Sequence, residues 1–281
     1  MFLYRLGRWL MVFDKSKETK EQRKARKAQH RAAEEARKLA TAVQTADTNV
    51  EINVLCVRFG NKYGQDYVVK LRNMVERHLN VPYKFWCLTD DPKPLEGVTN
   101  ILRSNQGYKK GWWHKVHMFA PDIPISGRIL YMDLDVVIHN NIDKLATMWR
   151  DDFVGIRDFN RKFHPGYRYL NSSVMAWNTG TQNYIYENFK ANPDNAMRMA
   201  GDQDWTWAQA KKVIKFWPDK WIQSYKWEIR SRQELGMAHG VRQFKTDRDD
   251  VKTDPECCIA VFHGEPNPSQ CRDTFVLDNW K

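Results

Sequence analysis

Strand-like and helix-like segments alternate along most of the chain. Apolar runs within 52–59, 83–89, 127–138, 152–158, 171–178 and 257–264 predict strands. Between them, apolar residues at helical spacing predict helices over 66–79, 112–119, 181–191 and 202–214. Strands that are apolar on both faces are typical of parallel sheets covered by helices. The pattern therefore predicts an α/β, Rossmann-like fold with a mostly parallel central sheet flanked by helices.

The first 48 residues show another pattern, and we interpret 1–48 as a basic helical extension preceding a globular domain over 49–281. Residues 14–46 contain no Gly or Pro and are rich in Ala, Lys, Arg, Glu and Gln, which are good helix formers. Their apolar face is too thin to form a core. They therefore predict a solvated helix or an arm that binds a partner.

The first 13 residues, "MFLYRLGRWLMVF", predict a short amphipathic helix, with Arg5 and Arg8 lying off its apolar stripe. The stripe consists of apolar residues at helical spacing: Phe2, Leu3, Leu6, Trp9, Leu10 and Phe13. Such a helix suits the interface of a membrane. A helix packed on the protein body and an irregular start remain alternatives. No small-residue cleavage site follows, so a signal peptide is not indicated.

The net charge of the chain is +11, and residues 1–50 carry more than half of it, with 12 Lys and Arg against 6 Asp and Glu. This excess suits an anionic partner such as an acidic membrane surface. Nucleic acid is a less favoured partner, because a charged run is usually solvated. No apolar stretch reaches the ~18 residues that a membrane-spanning helix needs.

The five cysteines include no CxxC pair, and two of them, Cys56 and Cys87, lie in strand-like runs. This usage is typical of a reducing compartment and argues against a disulfide scaffold or a zinc ribbon. We therefore expect a cytoplasmic protein, with peripheral membrane contact through residues 1–13 as an additional feature.

Two carboxylates, Asp133 and Asp135, end the most apolar run, "RILYMDLDVVI" (128–138). If this run is one strand, residues two apart project to the same face. The two side chains would then lie together at the carboxyl edge of the sheet, where open α/β sheets bind ligands. Mg²⁺ or Mn²⁺ would relieve the repulsion between them. A polar, solvent-facing side of the strand is the alternative explanation.

Three further segments place polar side chains at the ends of elements. His263 and Gly264 follow the apolar run 259–262, and such a His can complete a Mn²⁺ site. "GDQDW" (201–205) begins a helix, where Asp202 could equally serve as an N-cap. "NSS" (171–173) precedes a strand, where a turn would explain it equally well.

Taken together, five segments in this order resemble glycosyltransferases of the GT-A fold, and most closely the retaining family 8, which includes glycogenin and lipooligosaccharide galactosyltransferases. The matching segments are "HKVHMF" (114–119), "RILYMDLDVVI" (128–138), "NSSVM" (171–175), "GDQDW" (201–205) and "FHGEPNP" (262–268). The resemblance covers roughly residues 52–270 and leaves the N-terminal extension unexplained. The signatures "LTDDP" and "GDQDW" also resemble uncharacterised bacterial and phage homologues.

The resemblance implies a metal-dependent transfer of sugar from a nucleotide-sugar donor, most simply a UDP-sugar, with retention of configuration. It implies that Asp133, Asp135 and His263 hold Mn²⁺ or Mg²⁺ against the donor's diphosphate. Asp202, Gln203 and Asp204 become the catalytic candidates: Gln203 near the anomeric carbon, and either carboxylate as a nucleophile if the reaction is a double displacement. The choice between double displacement and front-face attack stays open.

The remaining implied roles concern the donor. Arg58, Asn61 and Tyr63 would contact base and ribose, and Asn171 and Ser172 would contact the donor sugar together with Asp202. Further implied contacts come from residues near the phosphates: Lys115, Lys226 and Gly264. Lys226 is included among these residues because Asn267 stands where the family has a phosphate-contacting Lys, and Asn cannot supply that positive charge.

Two other functions remain open at this level. A nucleotidyltransferase also uses paired Asp residues with a metal, although no Gly-rich phosphate loop of the usual kind follows the first strand. A catalytically degenerate transferase fold that only binds is the other, and Asn267 is its best support. The acceptor could be a glycan, a lipid-linked molecule or a protein, and loops 159–170 and 228–256 would form its pocket.

Overall fold

A computed structural model describes residues 51–108, 110–230, 232–238, 241–246 and 251–281, and residues 19–21, 23–25, 27, 28, 31 and 34 of the N-terminal part. Backbone contacts divide the chain into Met1–Thr45 and Ala46–Lys281, and each unit is described by itself. In the first unit, residues 20, 21, 23–25, 27, 28, 31 and 34 are helical. The amphipathic helix expected over 1–13 lies outside the described residues.

The central sheet of the second unit has seven strands in the described residues. They are β1 (Ile52–Arg58), β2 (Tyr83–Thr89), β3 (Thr99–Leu102), β4 (Arg128–Met132), β6 (Val154–Arg157), β7 (Leu170–Asn178) and β8 (Lys215–Phe216), with β5 (Val136–Ile138) outside this sheet. Their order is β3-β2-β1-β4-β7-β6-β8. The expectation of a mostly parallel sheet is confirmed.

Strand β7 is the exception to the parallel arrangement, because it pairs antiparallel with both β4 and β6. The amino end of β7 therefore lies at the carboxyl ends of its two neighbours, where Met132 of β4 pairs with Val174. This direction brings the polar segment 171–173, at the start of β7, to the same sheet edge as Asp133.

A second sheet corrects two expectations from the sequence. Residues 127–138 are not one strand: β4 ends at Met132, Asp133–Asp135 form a turn, and β5 begins a new sheet. The run 257–264 contributes only β12 (Ile259–Val261), which pairs antiparallel with β5 and parallel with β9 (Ile222–Ser224). The apolar pattern could not reveal this break, because both halves of the run are buried.

Helices cover the faces and edges of the sheets. They are α1 (Gln65–His78), α2 (Asp143–Thr147), α3 (Asn183–Ala191), α4 (Pro193–Ala196), α5 (Asp202–Ala210) and α6 (Thr274–Asn279). Shorter elements are the 3₁₀ segments Gly111–Phe119, Phe159–Lys162, Asp219–Trp221 and Pro268–Gln270, and the π-helical segment Tyr225–Ile229. The predicted helix over 112–119 is thus 3₁₀, and the one predicted over 202–214 ends at Ala210.

The segment 228–256, expected to be loop, contains a hairpin formed by β10 (Arg232–Ala238) and β11 (Val241–Thr246). Its mixed sequence has no strand-like alternation, which explains why the sequence pattern did not show it.

The core forms where the apolar stripe of α1 and the inward faces of the strands meet. Val68, Leu71, Met74 and Val75 of α1 are fully buried, as their helical spacing predicts. All five cysteines are free and buried. Among the helices that the structure describes, none combines the length and apolar character needed to cross a membrane.

Candidate functional site

The order of the strands locates a ligand crevice. Strands β2 and β3 lie on one side of β1, and β4 lies on the other side, so the strand order reverses between β1 and β4. At such a reversal the connections leave in opposite directions, so a crevice opens at the carboxyl ends of β1 and β4. Asp133 directly follows β4, and the turn 59–64 follows β1.

Lys115 is the centre of a buried polar network at this edge. Its ammonium lies 2.9 Å from Oδ1 of Asp133 and 3.3 Å from Oδ2 of Asp202. It also donates a hydrogen bond to Oγ of Ser172 at 3.1 Å, and Ser172 in turn donates to Asp202 at 2.9 Å. Tyr131 donates from its hydroxyl to Asp133. Side chains from four separate elements therefore meet at one point.

The charges of this network stabilise one another. Burial alone would lower the pKa of Lys115, but the nearby charges of Asp133 and Asp202 outweigh it and raise that pKa above its ordinary value. Burial raises the pKa of Asp202, and the charge of Lys115 opposes this effect. Lys115 is therefore a permanent cation at neutral pH, held only 9% exposed at the floor of the crevice.

Gln203 extends the network to a residue that the sequence did not indicate. Its Oε1 accepts from the backbone N–H of Ser172 at 3.3 Å, and its Nε2 donates to Oδ2 of Asp158 at 3.3 Å. Asp158 follows the carboxyl end of β6 and also receives the backbone N–H of Asn160. Only the pairing of β6 with β7 brings it here, so no local signal in the sequence could have identified it.

Asp135 lies in the same turn as Asp133. Its Oδ2 accepts the hydroxyl of Tyr63 at 2.9 Å. Burial and the charge of Asp133 raise the pKa of Asp135 to about 6. The two carboxylates are thus close enough to repel, as expected, although a turn rather than a strand places them together.

The turn after β1 is held by internal contacts. Arg58 donates to the carbonyl of Tyr63 at 3.0 Å and pairs with Asp91 at 2.9 Å, and Asn61 lies exposed on the turn. Tyr63 directs its hydroxyl at Asp135, and its ring contacts that of Tyr67 with centroids 4.8 Å apart. These three residues lie beside the crevice, and their contacts with a base and a ribose stay a prediction.

His263 reaches the crevice through the second sheet. The backbone N–H of Phe262 donates to the carbonyl of Asp135 at 3.2 Å, so the next residue, His263, lies close to the Asp133–Asp135 turn. Its Nε2 is 2.6 Å from Oγ of Ser224, and its ring lies edge-on to Trp227 with centroids 4.5 Å apart.

The turn after His263 has a positive charge beside it. Gly264 has φ +66°, a left-handed conformation that favours glycine. The ammonium of Lys226 donates to the carbonyl of Glu265 at 2.6 Å. Asn267 uses its backbone N–H to bond the side chain of Gln270 at 2.6 Å and begins a 3₁₀ turn. Lys226 thus places an ammonium beside this turn, and its contact with a phosphate in place of Asn267 stays a prediction.

The side-chain atoms that could coordinate a metal ion at the crevice suit a divalent cation in charge and in atom type. Asp133, Asp135 and Asp202 contribute three carboxylates to one buried ammonium, leaving an excess of negative charge. Oxygen ligands are those that Mg²⁺ and Mn²⁺ prefer. In the part of the chain that the structure describes, no three His, Cys, Asp or Glu side chains already converge as a metal site. The ligand set of Asp133, Asp135 and His263 therefore stays a prediction.

Two other predicted residues lie at the edge of this network. Asn171 is buried, and its Oδ1 accepts from the backbone N–H of Ser173 at 3.0 Å. Asp204 lies on α5, two positions after Asp202, and residues two apart on a helix do not face each other. Asp204 is thus on a different face of α5 from the carboxylate that contacts Lys115.

Comparison with known proteins identifies the fold through solved structures alone. No protein-family model matches the sequence, and no curated protein is significantly similar to it. Among solved structures, the glycosyltransferase GlyE of Streptococcus pneumoniae TIGR4 is similar with a TM-score of 0.58 and 14% identity, over 81% of this chain. The match spans 61% of the GlyE chain, less than two thirds of its length.

Two structures of LgtC are also similar, each at 14% identity. The galactosyltransferase LgtC in complex with donor and acceptor sugar analogs has a TM-score of 0.53, over 82% of this chain and 96% of LgtC. An active-site mutant of LgtC has a TM-score of 0.55, over 80% of this chain and 93% of that one. The expectation from the sequence motifs is confirmed at the level of architecture: the described α/β part of the chain has the GT-A fold of these glycosyltransferases.

Proposed function

We propose that the protein is a metal-dependent glycosyltransferase that uses a nucleotide-sugar donor, most simply a UDP-sugar, and retains the configuration of the transferred sugar. One observation carries this proposal. Lys115, Asp133, Ser172, Asp202 and Gln203 form one hydrogen-bonded network at the carboxyl edge of a GT-A sheet. Buried polar groups cost free energy to assemble, so such a network favours a ligand-binding role.

Asp133, Asp135 and His263 would hold Mn²⁺ or Mg²⁺ on the donor side of the crevice. When bound, the cation would neutralise charge that develops on the nucleoside-diphosphate leaving group. Lys115 would add a second positive charge near the phosphates, and Lys226 a third at the Gly264 turn. This arrangement supports an anionic diphosphate as the ligand.

Ser172, Asp202 and Gln203 would orient the donor sugar through its hydroxyl groups, with Asn171 beside them. Asp202 already accepts from Ser172 and lies against Lys115. Both contacts engage Oδ2 of Asp202 and hold its carboxylate in place, although burial still raises its pKa. Because these contacts fix the carboxylate, we favour an orienting role for Asp202 and front-face attack over a double displacement.

The binding test is a calorimetric titration with UDP, with and without Mn²⁺. We expect Mn²⁺ to strengthen UDP binding to the wild-type protein and to have no such effect on Asp135→Asn, which keeps the shape but removes the charge. Asp143→Asn is the matched control, because that carboxylate is exposed and bonds Asn80 outside the crevice. An unchanged Mn²⁺ effect in Asp135→Asn would refute the metal assignment.

The activity test measures the products released from a set of UDP-sugars. A glycosyltransferase releases UDP, even when water replaces the acceptor, whereas a nucleotidyltransferase releases pyrophosphate. A binding protein without activity is the second candidate, and it is favoured by Asn267, which begins a 3₁₀ turn and supplies no charge. Release of UDP that depends on Asp135 would exclude it, and tight UDP binding without any release would support it.

A further inference from the structure

A row of aromatic side chains lies on the surface beside the crevice. We call Tyr167, Tyr169, Trp207 and Phe216 the aromatic row. Ring centroids are 4.7 Å apart for Tyr167 and Tyr169, and 5.5 Å apart for Tyr169 and Trp207. Trp207 and Phe216 follow at 6.0 Å, nearly parallel at 28°. The four rings form one continuous apolar strip.

Core packing explains only part of this row. Trp207 and Phe216 are partly buried and pack against the hydrophobic core, but Tyr169 is 47% exposed. Tyr169 is therefore accessible from solvent while its ring contacts Tyr167 and Trp207. Singly exposed tyrosines are common, so the position of this row relative to the crevice decides whether it binds a ligand.

The aromatic row adjoins the polar network directly. Trp207 lies four residues after Gln203 on α5, so the two side chains share one face of the helix. At the neighbouring ring of the row, the backbone N–H of Asp158 donates to the carbonyl of Tyr169 at 2.8 Å. Asp158 is also the carboxylate that receives Nε2 of Gln203. Gln203 and Asp158 thus connect the row to the candidate reaction centre.

Polar groups border the row at the same place. Asp204 lies three residues before Trp207, which makes the two neighbours on the surface of α5. Asp204 lies two positions after Asp202, and so on a different face of α5 from the carboxylate that contacts Lys115. A flat aromatic face with an adjacent carboxylate and amide suits a sugar ring, whose C–H faces are apolar and whose rim carries hydroxyl groups.

We propose that the aromatic row is the acceptor platform and that the acceptor is a saccharide, stacked on Tyr169 and hydrogen-bonded by Asp204. This inference rests on the proposed glycosyl transfer, because it gives the row its meaning as an acceptor site. It assigns Asp204 to acceptor binding rather than to nucleophilic attack. A lipid phosphate would gain little from uncharged rings, and it is therefore not the acceptor that this surface favours.

The test titrates the full-length protein with maltotriose, chitotriose and mannotriose, and follows binding by saturation-transfer NMR. We expect one or more of these trisaccharides to bind the wild-type protein. Tyr169→Ala should weaken binding about tenfold, since it removes the stacking face, whereas Tyr169→Phe should retain it. Tyr83→Ala is the matched control: Tyr83 begins β2, at the amino ends of the parallel strands, whereas the crevice lies at their carboxyl ends.

UDP titration of the same variants separates this inference from the proposed function. Tyr169→Ala should bind UDP as the wild type does, which also shows that it is folded. Equal trisaccharide binding by wild type and Tyr169→Ala, or no binding of any trisaccharide to the wild type, overturns the acceptor platform while UDP binding stands. A third outcome is that Tyr169→Ala loses trisaccharide binding but the wild-type protein does not bind UDP. That outcome would support a saccharide-binding surface at Tyr169 and refute the proposed transferase function.

Discussion

At the scale of single residues, the buried ammonium of Lys115 holds the candidate site together. Its side chain is 11% exposed and lies between Asp133 and Asp202. Removing one partner of a buried ion pair leaves the other charges unpaired in a poorly solvated place. The stability of the folded state should therefore depend strongly on this one side chain.

We expect Lys115→Met to lower the free energy of unfolding by about 3 kcal/mol at pH 7, since it leaves the buried carboxylate of Asp202 and the half-buried carboxylate of Asp133 without their cation. Urea unfolding followed by circular dichroism measures this change. Lys84→Met is the control: Lys84 pairs with Glu51 at 2.9 Å, but both side chains are more than half exposed, and such pairs contribute less than about 1 kcal/mol. Equal losses in the two variants would contradict the role of Lys115.

The sequence identified site residues that lie in short, recognisable segments and missed one whose role depends on distant pairing. Lys115, Asp133, Ser172, Asp202 and Gln203 all meet in the structure. Asp158 is an ordinary carboxylate after a strand, and its contact with Gln203 follows from strand pairing that local pattern does not encode. The inference that Asp133 and Asp135 lie together was right, but the reason given for it, a continuous strand, was wrong.

At the scale of elements, the 3₁₀ segment Gly111–Phe119 links the core to the site, because it holds Lys115 in the crevice and His117 in an aromatic cluster. Nε2 of His117 lies 3.2 Å from the hydroxyl of Tyr108, and its ring is edge-on to Tyr186 at 5.3 Å. Burial, assisted by the charges of His114 and Arg103, lowers the pKa of His117 to about 4. Asp122 acts in the opposite direction.

This lowered pKa predicts acid sensitivity. Unfolding returns the pKa of His117 to about 6.5, so between pH 6.5 and 4 the unfolded chain binds the proton and the folded chain does not. Stability should therefore fall as the pH is lowered through this window, and His117 should contribute up to about 3 kcal/mol of that fall.

Urea unfolding of wild type and His117→Gln at pH 7, 6, 5 and 4 measures this contribution. The free energy of unfolding of His117→Gln should decline less steeply between pH 6.5 and 4 than that of the wild type. His164→Gln is the control, because His164 is exposed. Identical pH dependence in wild type and His117→Gln would show that the buried imidazole does not cause the acid sensitivity.

The direction of a strand and the sheet to which it belongs could not be predicted from the pattern of apolar residues. The apolar runs predicted most of the strands, because a strand that is covered on both faces consists mainly of apolar residues. They could not give the antiparallel direction of β7 or the assignment of β5 and β12 to a second sheet. Both features depend on which strands meet in space, and both are needed to place the polar segment 171–173 and His263 at the crevice.

At the scale of the whole molecule, the GT-A architecture was predictable because several motifs occur in the right order on alternating strands and helices. The proposed acceptor surface was predictable only in part: loop 159–170, expected to line the acceptor pocket, contains Tyr167 and Tyr169, whereas Trp207 and Phe216 come from α5 and β8. The charge and the apolar stripe of the N-terminal extension are properties of the sequence. Its proposed role is peripheral contact with an anionic membrane.

We expect the full-length protein to sediment with vesicles that contain about one third anionic lipid, and a variant without residues 1–13 to remain largely in the supernatant. The apolar residues of 1–13 would enter the interface, while the 12 Lys and Arg of residues 1–50 attract the anionic surface. Salt at about 0.5 M should weaken binding, because it screens this attraction. Vesicles of neutral lipid give the matched control for charge, and full-length protein carrying Trp9→Lys gives the control for apolar insertion. Equal sedimentation of the full-length and shortened proteins would refute membrane contact through residues 1–13 and leave the basic arm as a solvated helix.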